Sequence, residues 1–225
     1  MSEQVPQLFK FLTSDMKSPI GTGEWAIGRR RSVQGELAPC SVGLHGWPVE
    51  GLLNFTAERL VRVEVGSEYV WHDSGSDRKL VAREMTPVEL IEAYNDRTLR
   101  LFAADCAERV LPLFERKHPN DDRPRRAIET ARRFANGEAT SAELSAARSA
   151  AWDAAWDAAG DAAGSAAGSA AGAAVRAAAR NAARDAAGAA ARDAAGAAAW
   201  AAAWDAERQR QTAHLCQMLG IEVPS

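Results

Sequence analysis

Apolar and polar positions alternate along one half of this chain and recur every three or four residues along the other. Over residues 60–65, Val61, Val63 and Val65 alternate with Arg62 and Glu64, the period-two pattern of a strand with one wet face. Short β-branched and aromatic runs at 8–12, 25–27 and 80–82, set between Gly, Pro and Ser clusters, read as further strands. Residues 48–59 are expected to supply a helix that packs on the sheet, completing a small α+β domain over residues 1–87.

Beyond Pro87 the period becomes helical. Thr86 as cap and Pro87 at the first position predict a short helix over 88–94. Between residues 98 and 117, Leu99, Phe102, Ala103, Cys106, Val110, Leu113 and Phe114 fall on one stripe of a longer helix, with Pro112 expected to kink its last turn. Pro124 opens a third helix that runs to Phe134 and stops at Asn136-Gly137, and Thr140-Ser141-Ala142-Glu143 is a capping box for a fourth. The fold class expected is α+β: a small sheet-containing domain followed by an all-α, alanine- and glycine-rich helical bundle over 88–225.

The bundle ends in a repeat. Residues 146–209 parse into consecutive Ala-Ala-x-x tetrads, broken only by Val175 and Glu207. Each tetrad advances about 400°, so the alanine stripe drifts by about 40° per repeat. As one helix the segment would be roughly 96 Å long, against a radius of gyration of roughly 17 Å for a compact chain of this size, so it is expected to fold back, near residues 172–181. That return would bring Trp152 and Trp156 beside Trp200 and Trp204. Glycines at 160, 164, 168, 172, 188 and 196 each cost about 1 kcal/mol in a helix, which close backbone contact along a Gly/Ala seam can offset. The same flat faces predict a twofold dimer.

Composition narrows the function classes. The 225 residues carry 27 Lys+Arg against 30 Asp+Glu, a net charge of −3 that gives no global field for nucleic acid or a membrane surface. Three scattered cysteines, Cys40, Cys106 and Cys216, form no CxxC pair and fit a reducing cytoplasm without disulfides or structural zinc. Residues 1–20 hold Glu3, Lys10, Asp15 and Lys17 and no apolar run of useful length, so no secretory signal is expected. Aspartates and arginines spread through the tetrads argue against a membrane span. Phosphate-loop, HExxH and GxSxG motifs are missing from the sequence and its four histidines are scattered, so neither catalysis nor a metal or cofactor is expected.

Two constellations are left to carry binding. One is the basic turn Arg123, Arg125 and Arg126, with Arg132 and Arg133 on the same helix. The other is the row Arg176, Arg180 and Arg184, close to the tryptophans Trp152, Trp156, Trp200 and Trp204. As a plain surface these arginines would pair with Asp153, Asp157 and Asp161, each pair worth little. As a site, guanidinium forks beside indole faces can hold a phosphate and stack a ring. In the N-terminal half, Cys40-Ser41-Val42-Gly43-Leu44-His45-Gly46-Trp47-Pro48 reads as a turn that sends Leu44 and Trp47 into the core, with His45 a hydrogen-bonded structural residue.

Family likeness adds to this reading. Leu111-Pro112-Leu113-Phe114-Glu115, Asp122-Arg123-Pro124-Arg125-Arg126-Ala127-Ile128-Glu129, Phe134-Ala135-Asn136-Gly137-Glu138 and the tetrads after them resemble the alanine-rich immunity proteins of bacterial polymorphic-toxin systems, over residues of about 96–215. The resemblance implies a helical domain that neutralises a toxin or an antiphage defence effector by binding it. The Cys40-to-His45 stretch, with residues 10–17 before it, resembles an uncharacterised domain of phage and bacterial proteins, which implies no chemistry. The alternative function is a phage-type sponge that captures a nucleotide signal in an Arg/Trp-lined pocket.

Overall fold

The structure is a computed structural model that describes residues 6–20, 23–39, 41–74, 77–161 and 197–223. These residues form two compact units: 1–95 with 216–225, and 96–215. The architecture is α+β, an antiparallel sheet followed by helices.

Seven strands make the sheet of the first unit: β1 (Leu8–Leu12), β2 (Arg31–Ser32), β3 (Leu44–Pro48), β4 (Arg59–Val65), β5 (Tyr69–Ser74), β6 (Asp77–Ala82) and β7 (Glu84–Leu90). Their order is β2-β7-β4-β1-β3-β6-β5 and every pairing is antiparallel. Central β1 is buried at all five positions, because both faces of the sheet are covered there. On one face Leu8 and Leu12 join Trp25, Leu44, Val63, Leu80 and Met85. On the other, the Phe11 ring lies 5.5 Å from Trp47, 5.4 Å from Phe55 and 5.9 Å from Tyr94.

Three expected elements are corrected here. Residues 48–59 hold only a 3-10 turn, Val49–Gly51, in place of a helix. Gly51, Asn54 and Thr56 are weak helix formers, and Gly51 sits so close to the sheet that a Cβ would lie 3.0 Å from Trp47 and 3.2 Å from the Arg78 carbonyl. Residues 88–94 are no helix either, since β7 runs through Leu90. Thr86 and Val88 suit a strand as well as a cap, and pairing with β4 decides between them. Pro87 is tolerated because it faces Val63 where the register with β4 shifts, so no ladder bond is demanded of it. Residues 25–27 form no strand: Trp25 plugs into the core, 5% exposed, and Ala26 accepts a turn bond from Arg29 around Gly28, whose φ is +78°.

The second unit is helical: α1 (Asp96–Glu115), α2 (Arg123–Ala135), α3 (Ser141–Asp161) and α4 (Ala197–Leu219), whose last turn belongs to the first unit. On α1 the buried positions are Ala104, Cys106, Ala107, Leu111 and Phe114, so alanines rather than Leu99 or Phe102 fill the seam. Ala104, Ala107 and Leu111 pack on Ile128 of α2. Among the described residues no helix is long and apolar enough to cross a membrane.

Candidate partner-binding surface

Local sequence fixes α2 at both ends. Pro124 stands in its first turn, and at its end the Gly137 amide donates to Phe134 and the Glu138 amide to Arg133, a Schellman closure made possible by Gly137 at φ +77°. Pro124, Ile128 and Ala135 are buried. That leaves the arginines for the outer side.

All five expected arginines of this constellation are therefore on α2, and each meets a carboxylate. Arg123 forks onto Asp121 through Nε at 2.9 Å and Nη2 at 2.7 Å, and that pairing holds the Asp121 carboxyl below its ordinary range. Arg125 reaches back to Glu115 on α1 with bonds of 2.8 and 2.9 Å. Arg126 pairs with Asp122 at 2.9 Å. Arg132 bridges Asp105, at 2.8 Å, and Glu108. Arg133 donates to the Glu138 carbonyl at 3.0 Å and lies 3.5 Å from Glu143. The acids that match them lie on α1, on the α1–α2 loop and at the start of α3, and Asp153 of the expected acidic row is not among them.

Between α1 and α2 the loop frames an open polar cleft of about 550 Å³, with Lys117 and His118 on one wall and Asp121, Asp122, Arg123 and Arg126 on the other. The His118 ring stacks on Phe114, 4.8 Å between centroids, which fixes that wall to the helix core. Arg126 and Asp122 are the outermost pair, with side chains 62% and 64% exposed.

Sequence reasoning missed a second polar network, between α1 and α4. Asp105 takes His214 Nε2 at 2.7 Å on its other oxygen, and Arg109 pairs with Glu207, which also accepts from Gln211 at 2.9 Å. The signal was present, since Glu207, Gln211 and His214 share a helical face by their spacing of four and three. Glu143 closes the capping box: the Thr140 amide donates to it at 2.7 Å, which lowers its carboxyl, and the Glu143 amide donates to Thr140 Oγ1 at 3.2 Å.

Of the aromatic candidates, Trp152 is 41% exposed on α3 and Trp204 is half-buried on α4. Trp156 and Trp200 belong to the same helices, with side chains outside the described residues. Arg176, Arg180, Arg184 and the expected return near 172–181 also lie outside the described residues, as does Cys40. Leu44 and His45, expected in a turn, are on strand β3, with Leu44 buried and His45 half-buried. Among the described residues no three His, Cys, Asp or Glu side chains group as metal ligands.

The surface can therefore present an ordered, charge-alternating face, in which each guanidinium is already oriented by a neighbouring acid. Comparison with known proteins covers this unit and its approach. Residues 89–217, more than half the chain, match the family model described as Imm-5 like putative immunity protein. No curated protein and no solved structure matches the chain.

Proposed function

The chain belongs to the Imm-5 like putative immunity protein family, and from that premise we propose that its helical unit binds a protein toxin and neutralises it by occupying the toxin's working surface, with no chemistry of its own. The observation that supports this reading most is the row of α2 arginines held by Asp121, Glu115, Asp122, Asp105 and Glu108. An arginine fork already fixed by a carboxylate loses less side-chain entropy on binding than a free one, and Arg is prominent among residues that dominate protein interfaces. Alternating charge also suits a partner with complementary alternation, which gives specificity and fast association more than raw affinity.

Arg125 and Arg126 are adjacent exposed members of the row and carry the test. The full chain is co-expressed with each toxin domain encoded beside its gene, and growth is scored. One toxin is expected to be neutralised and to co-elute with the chain. Arg125→Glu together with Arg126→Glu is expected to weaken that complex by about 100-fold, equivalent to about 3 kcal/mol, while far-UV circular dichroism keeps its helical signal. Undiminished protection by the double variant would remove this face from the interface. Absence of any protected toxin would overturn the immunity reading itself.

A further inference from the structure

The sheet unit buries a cation that toxin binding does not use. Lys10 is the middle residue of β1, and strand alternation sets it between Leu8 and Leu12 on the face packed by Trp25, Leu44, Val63 and Met85. It is only 6% exposed. Its ammonium donates to the backbone carbonyl of His45 at 3.1 Å and stands 4.6 Å from the centre of the Trp25 ring.

A second cation shares that ring. The Arg31 guanidinium carbon lies 4.8 Å from the same centroid, and Arg31 Nη1 donates to the Glu24 carbonyl at 2.7 Å. Gly23 makes room for it, because a Cβ there would fall 2.4 Å from Arg31 Nη1. The indole is itself tied down by a 2.8 Å bond from Nε1 to Ser18 Oγ. Carbonyls and a π face are the partners of both cations; among the described residues neither Lys10 nor Arg31 pairs with a carboxylate. The acid nearest in register, Glu84, goes to Arg30.

Proteins almost always give a buried ammonium a counter-charge, since desolvation costs several kcal/mol. Here burial and the neighbouring Arg31 charge push the Lys10 amine down to about 8. An ammonium has three donors and a guanidinium five, and the bonds above use one of each. The unspent donors and the doubled positive charge match a doubly charged oxyanion better than a single carboxylate, and a guanidinium fork fits its oxygens two at a time. Arg31 is half-buried and reaches solvent, whereas Lys10 is buried.

We propose that Lys10 and Arg31, arranged over Trp25, form a binding site for a phosphate group, taken either as free phosphate or as the phosphoryl end of a small metabolite. The site lies wholly within the sheet unit and is independent of the toxin-binding face.

The test uses the full chain, with inorganic phosphate and adenosine monophosphate as probes against chloride at matched ionic strength. Binding is read by ³¹P line broadening and by thermal shift. Broadening and a rise in Tm with either probe are expected; a response to both marks a free-phosphate site, and a response to the nucleotide alone marks a phosphoryl-ester site. Arg31→Gln and Lys10→Met are each expected to weaken binding by about tenfold or more. Lys10→Met, an apolar replacement of similar length, is expected to stay folded in chloride. Should it unfold, half-exposed Arg31→Gln still decides the matter. Silence of the intact protein toward both probes, or equal binding by Arg31→Gln, overturns the site.

Discussion

Lys10 shows how one side chain can be legible in type and hidden in role. The apolar and aromatic run over residues 8–12 makes the strand plain, but a single lysine within it does not show by itself whether that position is buried. Only the covering of both faces of β1, by Trp25 on one side and the Phe11 cluster on the other, turns that position into a buried one. The consequence is a dependence of stability on pH. The folded state releases the Lys10 proton near pH 8, whereas the unfolded chain holds it to the ordinary 10.5. Between those values the unfolded state binds more protons, so this contribution to stability rises with pH; below about 8 it is absent. Its full size is about 3 kcal/mol. Buried Cys106 and Cys216 work the other way, because their thiols are pushed up to about 12 and about 11 and the folded state keeps protons that the unfolded state sheds above 9. The Lys10 share is therefore read as a difference: denaturant midpoints from pH 7 to pH 10.5 should show Lys10→Met more stable than the parent at neutral pH, with the gap closing toward pH 10.5. A gap constant with pH would show that the amine does not titrate as described.

At the scale of elements, the sequence spoke most clearly where the rule was local. Pro124, Asn136-Gly137 and Thr140-to-Glu143 mark helix ends, and each does in the structure what the spacing implies. Thr140→Ala should cost about 1 kcal/mol in the unfolding of the helical unit, and Thr140→Ser should restore most of it; equal stability of all three proteins would mean that the cap contributes nothing. Local rules failed where long-range pairing overruled them. Thr86-Pro87 is a good helix start in isolation, but the strand opposite it lies 24 positions earlier in chain order, at Val63 against Pro87. Residues 48–59 lost their expected helix to close packing of Gly51 on the sheet. The α1 stripe is buried at Cys106 and Phe114, as its period implies, and departs from the expected positions elsewhere for a related reason. Hydrophobicity favours Leu99 and Phe102, whereas the α1–α2 contact selects Ala104 and Ala107, whose small side chains let the backbones approach.

For the molecule as a whole, a sheet followed by helices could be read from the shift in period, and the basic residues of α2 from their clustering. Their pairing could not, because Glu115, Asp105 and Glu108 reach α2 only once α1 lies beside it. That pairing changes what the surface suits. Five guanidiniums matched by acids favour an extended protein face over a phosphate, whereas Lys10 and Arg31 in the sheet unit have carbonyls and an indole ring as their partners. The central claim, neutralisation by occupancy, is tested most directly by titrating the protected toxin's activity with purified full chain, then dissociating the mixture and weighing the toxin by intact mass spectrometry. Inhibition that is complete at equal molar amounts, with the toxin recovered active and unchanged in mass, is the predicted result. Inhibition by a small fraction of an equivalent, growing with time and leaving the toxin with an altered mass, would contradict it.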